Sequence, residues 1–265
     1  MSENSPALAV LIPHYGGVES LYKPLRSLSK ETIDHDVLIV DDGNRTPLVV
    51  PPEWHPRVKV IRHESNQGIT AALNTGLDDI LHKNYRYVAR LDAGDCNVSS
   101  RLKKQVAFLE RNPECKLVGS SAVCVTKDGR QLYSHVPPCT PDKIHRAMHR
   151  QCCFLHPTVM LRTDVFAEVG VYREKYPAAE DYDLFFRIAE RFQTANLPEK
   201  LVEYEYSASA GISSRRRKTQ VLSRLRIVAA HFDPLLSESY RGILEAFVCL
   251  VLPRSLATLF HRIQA

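Results

Sequence analysis

Apolar and polar positions along the chain fall into short blocks of two kinds. Leu8–Ile12 is a continuous apolar run ended by Pro13, and Val37–Val40 is another, ended by Asp41-Asp42-Gly43. Runs of that length without alternation predict strands buried on both faces. Between them Val18, Leu21, Leu25 and Leu28 sit at helical spacing within 18–30, so the chain opens as a strand–helix–strand unit. Val58–Ile61 predicts a third strand. Ile69, Ala72, Leu73, Gly76, Leu77, Ile80 and Leu81 then follow the stripe of an amphipathic helix. Tyr87–Leu91 predicts a fourth strand running into Asp92-Ala93-Gly94-Asp95, and Ser99 or Ser100 is placed to cap a helix carrying Leu102, Val106 and Leu109. Strands alternating with helices predict an α/β chain with a mostly parallel sheet and helices on both faces.

After Pro113 the grain changes. Ala122–Val125 and Gln131–Tyr133 flank Lys127-Asp128-Gly129-Arg130, a hairpin signal, and a mixed half of the sheet begins there. Thr158–Leu161 predicts a strand, Asp183–Phe192 a helix burying Leu184, Phe185, Ile188 and Phe192, and Leu201–Tyr204 one more strand. No internal repeat is present.

Composition adds limits rather than direction. With 265 residues, 44% hydrophobic and 25% charged, the chain can bury a full core, which excludes a disordered or low-complexity protein. Seven cysteines, at 96, 115, 124, 139, 152, 153 and 249, form no C-x-x-C pair, so neither a zinc site nor a disulfide framework is expected and a reducing compartment fits. Cys152 and Cys153 read as buried residues with no base to activate them. The first apolar segment is too short for a secretion signal, and the expected location is cytoplasmic. Charge is uneven: the net +5 divides into +6 from residue 211 onward and about −1 before it.

Ligands of open α/β sheets bind beyond the carboxyl ends of the strands, so the polar residues there are read first for function. Pro13-His14-Tyr15, Asp41-Asp42-Gly43 and Asp92-Ala93-Gly94-Asp95 each follow a strand. A carboxylate at such an end can accept hydrogen bonds from a base or ribose, and a close acidic pair can hold a hard divalent cation against a pyrophosphate. Each piece has a plainer reading: Asp-Asp-Gly is a common turn, Asp92–Asp95 equally caps the next helix, and Tyr15 equally packs as an aromatic. Taken in order on successive strands, they describe a nucleotide-diphosphate site.

Over about residues 7 to 212 the sequence resembles the inverting family 2 glycosyltransferases. LAVLIPHYGG, VLIVDDGN, HESNQGITAALNTGL and VARLDAGD are similar in order to the family's opening strand, second strand, N-x-G helix start and acidic metal motif. HPTVMLRTDVFAEVGVYREKYPAAEDYDLFFRIAER is similar to its acceptor half, where a Glu-Asp pair opens a helix. The resemblance implies a GT-A fold, a Rossmann-like mixed sheet with a nucleotide-binding half (1–112) and an acceptor half (113–212); residues 213–265, beyond the resemblance, read as a basic, amphipathic helical C-terminal region. It implies that Pro13, Tyr15, Asp41 and Asp42 meet the nucleoside, that Asn66, Gly68 and Asn74 shape the neighbouring helix start, and that Arg90 and Asp92 reach the diphospho-sugar. Asp95 with Asp92 would hold the metal, Mn2+ or Mg2+. Asp181 would be the base that deprotonates the acceptor hydroxyl, with Glu180 as fallback and His156 on the acceptor side. His156 equally hydrogen-bonds a loop, and Arg90 equally makes a plain salt bridge.

Three departures from the family pattern stand out. Gly94 replaces a carboxylate common in relatives, Leu73 an arginine, and Tyr204-Glu205-Tyr206-Ser207 a stretch that often carries arginine and then histidine. The processive-synthase tryptophan motif is absent, since Trp54 is the sole tryptophan, so a single-addition hexosyltransferase is expected. The expected partners are a nucleotide-sugar, UDP-linked, and a lipid-linked glycan acceptor of bacterial polysaccharide or lipopolysaccharide synthesis. Arg215-Arg216-Arg217-Lys218 and the apolar run Ala246–Leu252, too short to span a bilayer, fit an interfacial helix on an anionic membrane at the inner face. They fit equally a helical pair packed on the body or across a homodimer. Nucleic acid is not favoured, because aromatics do not interleave the basic run. A nucleotide-sugar-binding scaffold with a degenerate metal site is the rival function, and a nicotinamide dehydrogenase is disfavoured because no G-x-G-x-x-G follows the first strand.

Overall fold

The computed structural model describes residues 7–98, 100–206 and 216–251. Strands β1 (Leu8–His14), β2 (Asp36–Asp41), β3 (Val58–Arg62) and β4 (Tyr87–Arg90) are parallel neighbours, in the spatial order β3-β2-β1-β4. Beyond β4 the sheet turns antiparallel through β8 (Met160–Arg162) to β6 (Cys115–Val125), which pairs in parallel with β9 (Gln193–Glu205). The two-residue β5 (Cys96–Asn97) closes that edge on β9, and β7 (Gln131–His135) forms the expected hairpin with β6. This is the mixed α/β sheet expected.

Strand β1 shows why the apolar runs are unbroken. Leu8, Val10 and Ile12 face a core closed by α1 (Tyr22–Leu28) and α3 (Arg101–Arg111), whereas Ala9 and Leu11 face α2 (Ile69–His82) and the helices of the second half. Both sides are sealed, so no polar alternation is tolerated. The strand runs on past Ile12 through Pro13 to His14 because β2 pairs with it that far, whereas β4 pairs with β1 only as far as Leu11. Pro13, two positions on, turns its missing donor toward that vacated side and loses no ladder bond.

Several expected elements shift. The helix expected over 18–30 begins as a 3-10 turn, Val18–Leu21, and becomes α1 only at Tyr22. Pro24 lies in the first turn of α1, where its missing N–H has no intrahelical partner to lose. Ser100 adopts φ 56° and makes no side-chain cap to α3, and Ser99 lies outside the described residues. Glu31 does that work instead: its Oε1 accepts from the Leu102 N–H and from Asn97 Nδ2. Thr158 belongs to a 3-10 turn, His156–Thr158, that Pro157 starts, so the strand after it begins at Met160. Strand β9 starts eight residues before Leu201; its pairing with β6 slips around Pro198, which breaks the apolar pattern there. Helices α4 (Pro141–Met148) and α5 (Val165–Val169), of eight and five residues, are too short to show a period.

Helix α6 (Glu180–Ala189) begins three residues ahead of the periodic stripe, which places Glu180 and Asp181 in its first turn. Helices α7 (Arg217–Ala230) and α8 (Ser237–Val251) form a pair packed on the body rather than a detached tail. Ile227 and Val228 join the core cluster that contains Leu73, Leu184 and Phe186. Ala246 and Cys249, within the run assigned above to an interfacial helix, are buried. Gly242 has to be glycine: a Cβ there would lie 1.9 Å from the His149 carbonyl oxygen, so α8 touches the body backbone. The boundary expected at 212–213 lies outside the described residues, as do Ser207, Arg215 and residues 252–265.

Candidate active site

The carboxyl ends of the parallel strands point to one edge of the sheet, and the acidic residues expected there divide into two sets. Asp41 and Asp42 serve the loops. Asp41 is fully buried; Oδ1 accepts from the Asn44 backbone N–H at 3.0 Å and from Asn44 Nδ2 at 2.6 Å, and Oδ2 accepts from the Leu48 N–H. Asp42 accepts from the N–H groups of Gln67 and Gly68, and its Oδ1 lies 2.8 Å from His63 Nδ1. Every oxygen of the pair has a protein partner: Asp41 braces the loop after β2, and Asp42 braces the loop that leads into α2. Gly68 thus shapes the start of α2 through its N–H. Asn66 is exposed on that loop, Pro13 is half-buried in β1, and Tyr15, 65% exposed, leaves a ring face open.

Asn74 ties α2 to the second half of the chain. Its Nδ2 donates to the Tyr172 carbonyl and its Oδ1 accepts from the Tyr172 N–H, so its amide clamps α2 to the chain leading toward α6. Held there, Tyr172 brings its hydroxyl 2.9 Å from His156 Nε2. Arg90 Nε donates to the same nitrogen at 3.2 Å, while Nη1 donates to the Leu11 and Leu91 carbonyls and Nη2 donates to Asp92 Oδ1 at 2.5 Å. Because an arginine N–H only donates, Nε2 is the acceptor and the imidazole is neutral. Burial, with the Arg90 charge adding to it, pushes His156 well below its ordinary value. His156 is thus buried between Arg90 and Tyr172, and Arg90, 1% exposed, orients Asp92.

Asp92, Asp95, Glu180 and Asp181 form the second set. Asp95 is 2% exposed; Oδ1 accepts from the Glu205 N–H and Oδ2 has no partner. Burial raises its carboxyl well above the usual range, and the Asp92 and Glu205 charges add to the rise. A buried carboxylate oxygen without a donor is what a cation would satisfy, so the residues fit a hard divalent ion held by Asp95 and Asp92. No group of three His, Cys, Asp or Glu side chains among the described residues is arranged to hold one unaided, so the diphosphate of a donor would have to complete the shell. Gly94 turns at φ 94°, and the Glu205 carboxyl lies 3.4 Å from where its Cβ would be. A carboxylate from the end of β9 thus stands beside the position where the motif lacks one.

Glu180 is 5% exposed and its Oε2 is unpartnered. Burial, with the Asp181 charge, lifts it to about 7. Asp181 accepts the Tyr182 N–H at 2.8 Å, and burial lifts it to about 6, with the Asp92 charge contributing. Two carboxyls tuned near neutrality, both within reach of the Asp92 charge, suit proton abstraction.

Sequence reasoning missed the polar support under this edge. Arg101, fully buried, donates to the carbonyls of Arg90 and Val159, to Gln105 and to Asn97. Gln105 donates in turn to the Val118 and Thr158 carbonyls. Charged and amide side chains in a helix read as solvent face, and only their position just after the acidic motif could have marked them.

A mixed α/β sheet whose ligand edge carries carboxylates, with helices on both faces, is the GT-A fold of nucleotide-sugar transferases. The chain belongs to Glycosyl transferase family 2, which its residues 9–170 match. Amylovoran biosynthesis glycosyltransferase AmsE of Erwinia amylovora is 29% identical over 216 residues, covering 79% of each chain. Among solved structures, S. aureus TarS 1-349 in complex with UDP superposes with a TM-score of 0.67 at 18% identity, covering 94% of this chain and 73% of that one. Mannosyltransferase PcManGT from Pyrobaculum calidifontis, in complex with GDP-Man and Mn2+, gives 0.62 at 16% identity, covering 96% and 72%.

Proposed function

We propose that the protein is an inverting, single-addition glycosyltransferase that moves a sugar from a UDP-sugar to a hydroxyl of a lipid-linked glycan in bacterial polysaccharide biosynthesis. The observation that carries the reading is Asp92 after β4, whose charge acts on Asp95 and also on Glu180 and Asp181, with the latter two lifted to about 7 and about 6. The UDP bound by TarS and the name of AmsE support the donor and the pathway class.

In this reading Tyr15 offers its open ring to the base, over the floor that Asp41 and Asp42 hold rigid. Asp181 takes the proton of the acceptor hydroxyl as that oxygen forms its bond to the anomeric carbon. The bond from that carbon to the diphosphate breaks on the opposite face, and its electron pair leaves with the nucleoside diphosphate. Glu180 is the fallback base. Asp92, aimed by Arg90, and Asp95, through its free Oδ2, would hold Mn2+ or Mg2+. When bound, the cation neutralises charge growing on the departing diphosphate; the Mn2+ in PcManGT supports this assignment.

Gly94 favours the rival reading of a binding protein with a degenerate metal site, and the Glu205 carboxyl beside it argues against that reading. The deciding experiment is a panel of UDP- and GDP-sugars incubated with Mn2+, Mg2+ or EDTA, with nucleoside diphosphate release as readout. One donor turned over with metal, and lost in Asp95→Ala and Asp181→Ala, is the expected result. Tight donor binding with no release, even with lipid-linked acceptors in detergent, would establish the rival.

A further inference from the structure

Helix α8 is apolar on both of its sides. Gly242, Ala246 and Cys249 face the body and are buried. On the opposite side Tyr240, Leu244, Phe247 and Val251 recur at i, i+4, i+7 and i+11, each more than half exposed. Leu235, 91% exposed, extends this surface into the connection from α7. A helix with one side on a protein core ordinarily turns charge toward water on the other.

The exposed charges of α7 and α8 are all of one sign. Arg216, Lys218, Arg226 and Arg241 are exposed, and no acidic residue between 216 and 251 is. Glu245 is buried between Arg150 and Arg224, and Asp233 and Glu238 are half-buried.

We infer that the outer face of the α7–α8 pair docks on an anionic lipid surface. The aromatic and aliphatic stripe enters the headgroup–acyl boundary, and the exposed cations meet lipid phosphates. Charge complementarity selects this occupant. A second copy of the chain, joined by a symmetric contact through the same face, would bring four cations against the same four. An anionic leaflet instead attracts each of them, and apolar residues flanked by lysine and arginine are the composition of helices that lie in the interface. At 15 residues, roughly 22 Å, α8 is too short to cross a bilayer, and no helix among the described residues is long and apolar enough to do so. Gly242 and the buried Glu245 hold the inner side to the body, so docking needs no unfolding.

The face is tied to the catalytic segment, since Ser223 Oγ in α7 donates to the Pro177 carbonyl three residues before Glu180. That tie would bring the acceptor half to the membrane. The inference concerns binding, not turnover, so it and the reading of the active site can fail separately.

The test is flotation of the full chain with vesicles of phosphatidylcholine alone and of phosphatidylcholine mixed with phosphatidylglycerol, alongside its oligomeric state by light scattering. Binding is expected to the anionic vesicles only, and to weaken as salt rises. Leu244→Glu/Phe247→Glu should abolish it, and Arg226→Glu/Arg241→Glu should weaken it by fivefold or more per position. All four positions are exposed, so melting temperature and donor binding should hold in both variants. Three results overturn the inference: no binding to anionic vesicles; a stable dimer dissociated by Leu244→Glu/Phe247→Glu; or vesicle binding that survives that variant and disappears on deletion of residues 252–265.

Discussion

Asp181 is where pH, rate and stability meet. Its carboxyl is lifted to about 6, mostly by burial, so the folded state holds the proton more tightly than the unfolded chain does. A raised carboxyl pKa makes the fold most favourable below the ordinary carboxylate value and less so as pH climbs through 6. Asp181→Asn removes that penalty. The variant should be more stable than the parent at pH 8 by on the order of 1 kcal/mol, discounted because the side chain is half-buried, and equal to it near pH 4. Urea titration at the two pH values reads the difference. The same substitution should lower kcat by about 100- to 10,000-fold, and activity of the parent should rise with an apparent pKa between 6 and 7. A gain in stability together with a loss of turnover distinguishes a catalytic carboxylate from a structural one, whose loss would cost both.

Helix α6 shows what the sequence made legible at the scale of elements. Its stripe, Leu184, Phe185 and Ile188, marks the buried face, but Glu180 and Asp181 precede the first apolar position, so periodicity alone begins the helix too late and only the family resemblance carries its start back to them. Strands β1, β2 and β4 were legible because both faces are sealed; α5 and β5 were not, being five and two residues long. Within the site, position was legible and partnership was not: Asp92 and Asp95 follow β4 in the order the motif gives, whereas Asp41 is engaged by its own loop, Asn74 by the Tyr172 backbone and His156 by the side chains of Tyr172 and Arg90. The chain enters α6 through Ala178 at φ 61°, a left-handed conformation that a Cβ disfavours by about 1 kcal/mol. Ala178→Gly should relieve that strain, partly offset by the greater freedom of glycine when unfolded, for a net gain of about 0.5 kcal/mol in chemical denaturation. A loss of stability would mean that the Ala178 methyl packs more strongly than the backbone resists.

At the scale of the molecule the question is whether the C-terminal pair is a separate unit. Ile227 and Val228 sit in the cluster that also buries Leu73 and Phe186, so part of the acceptor half's core comes from α7. The polar tie is Glu245, whose side chain is 4% exposed. Its Oε1 accepts from Arg150 Nε and Nη2, and its Oε2 accepts from Arg224 Nη2. Arg224 also donates to the Arg150 carbonyl, so one carboxylate on α8 joins α7 to the loop after α4. Glu245→Gln keeps the volume but leaves two guanidinium groups short of their counter-charge; with both arginines partly exposed, the cost should be about 2–3 kcal/mol. A shared core makes that cost global: one thermal transition, moved down as a whole, with amide exchange accelerated in α2 and β1 as well as in α8. An independent tail would instead split the transition and leave exchange in β1 and α2 at the parent rate. Hydrogen exchange on the two proteins separates these outcomes, and the shared-core result would make the lipid-facing helices and the catalytic sheet a single cooperative body.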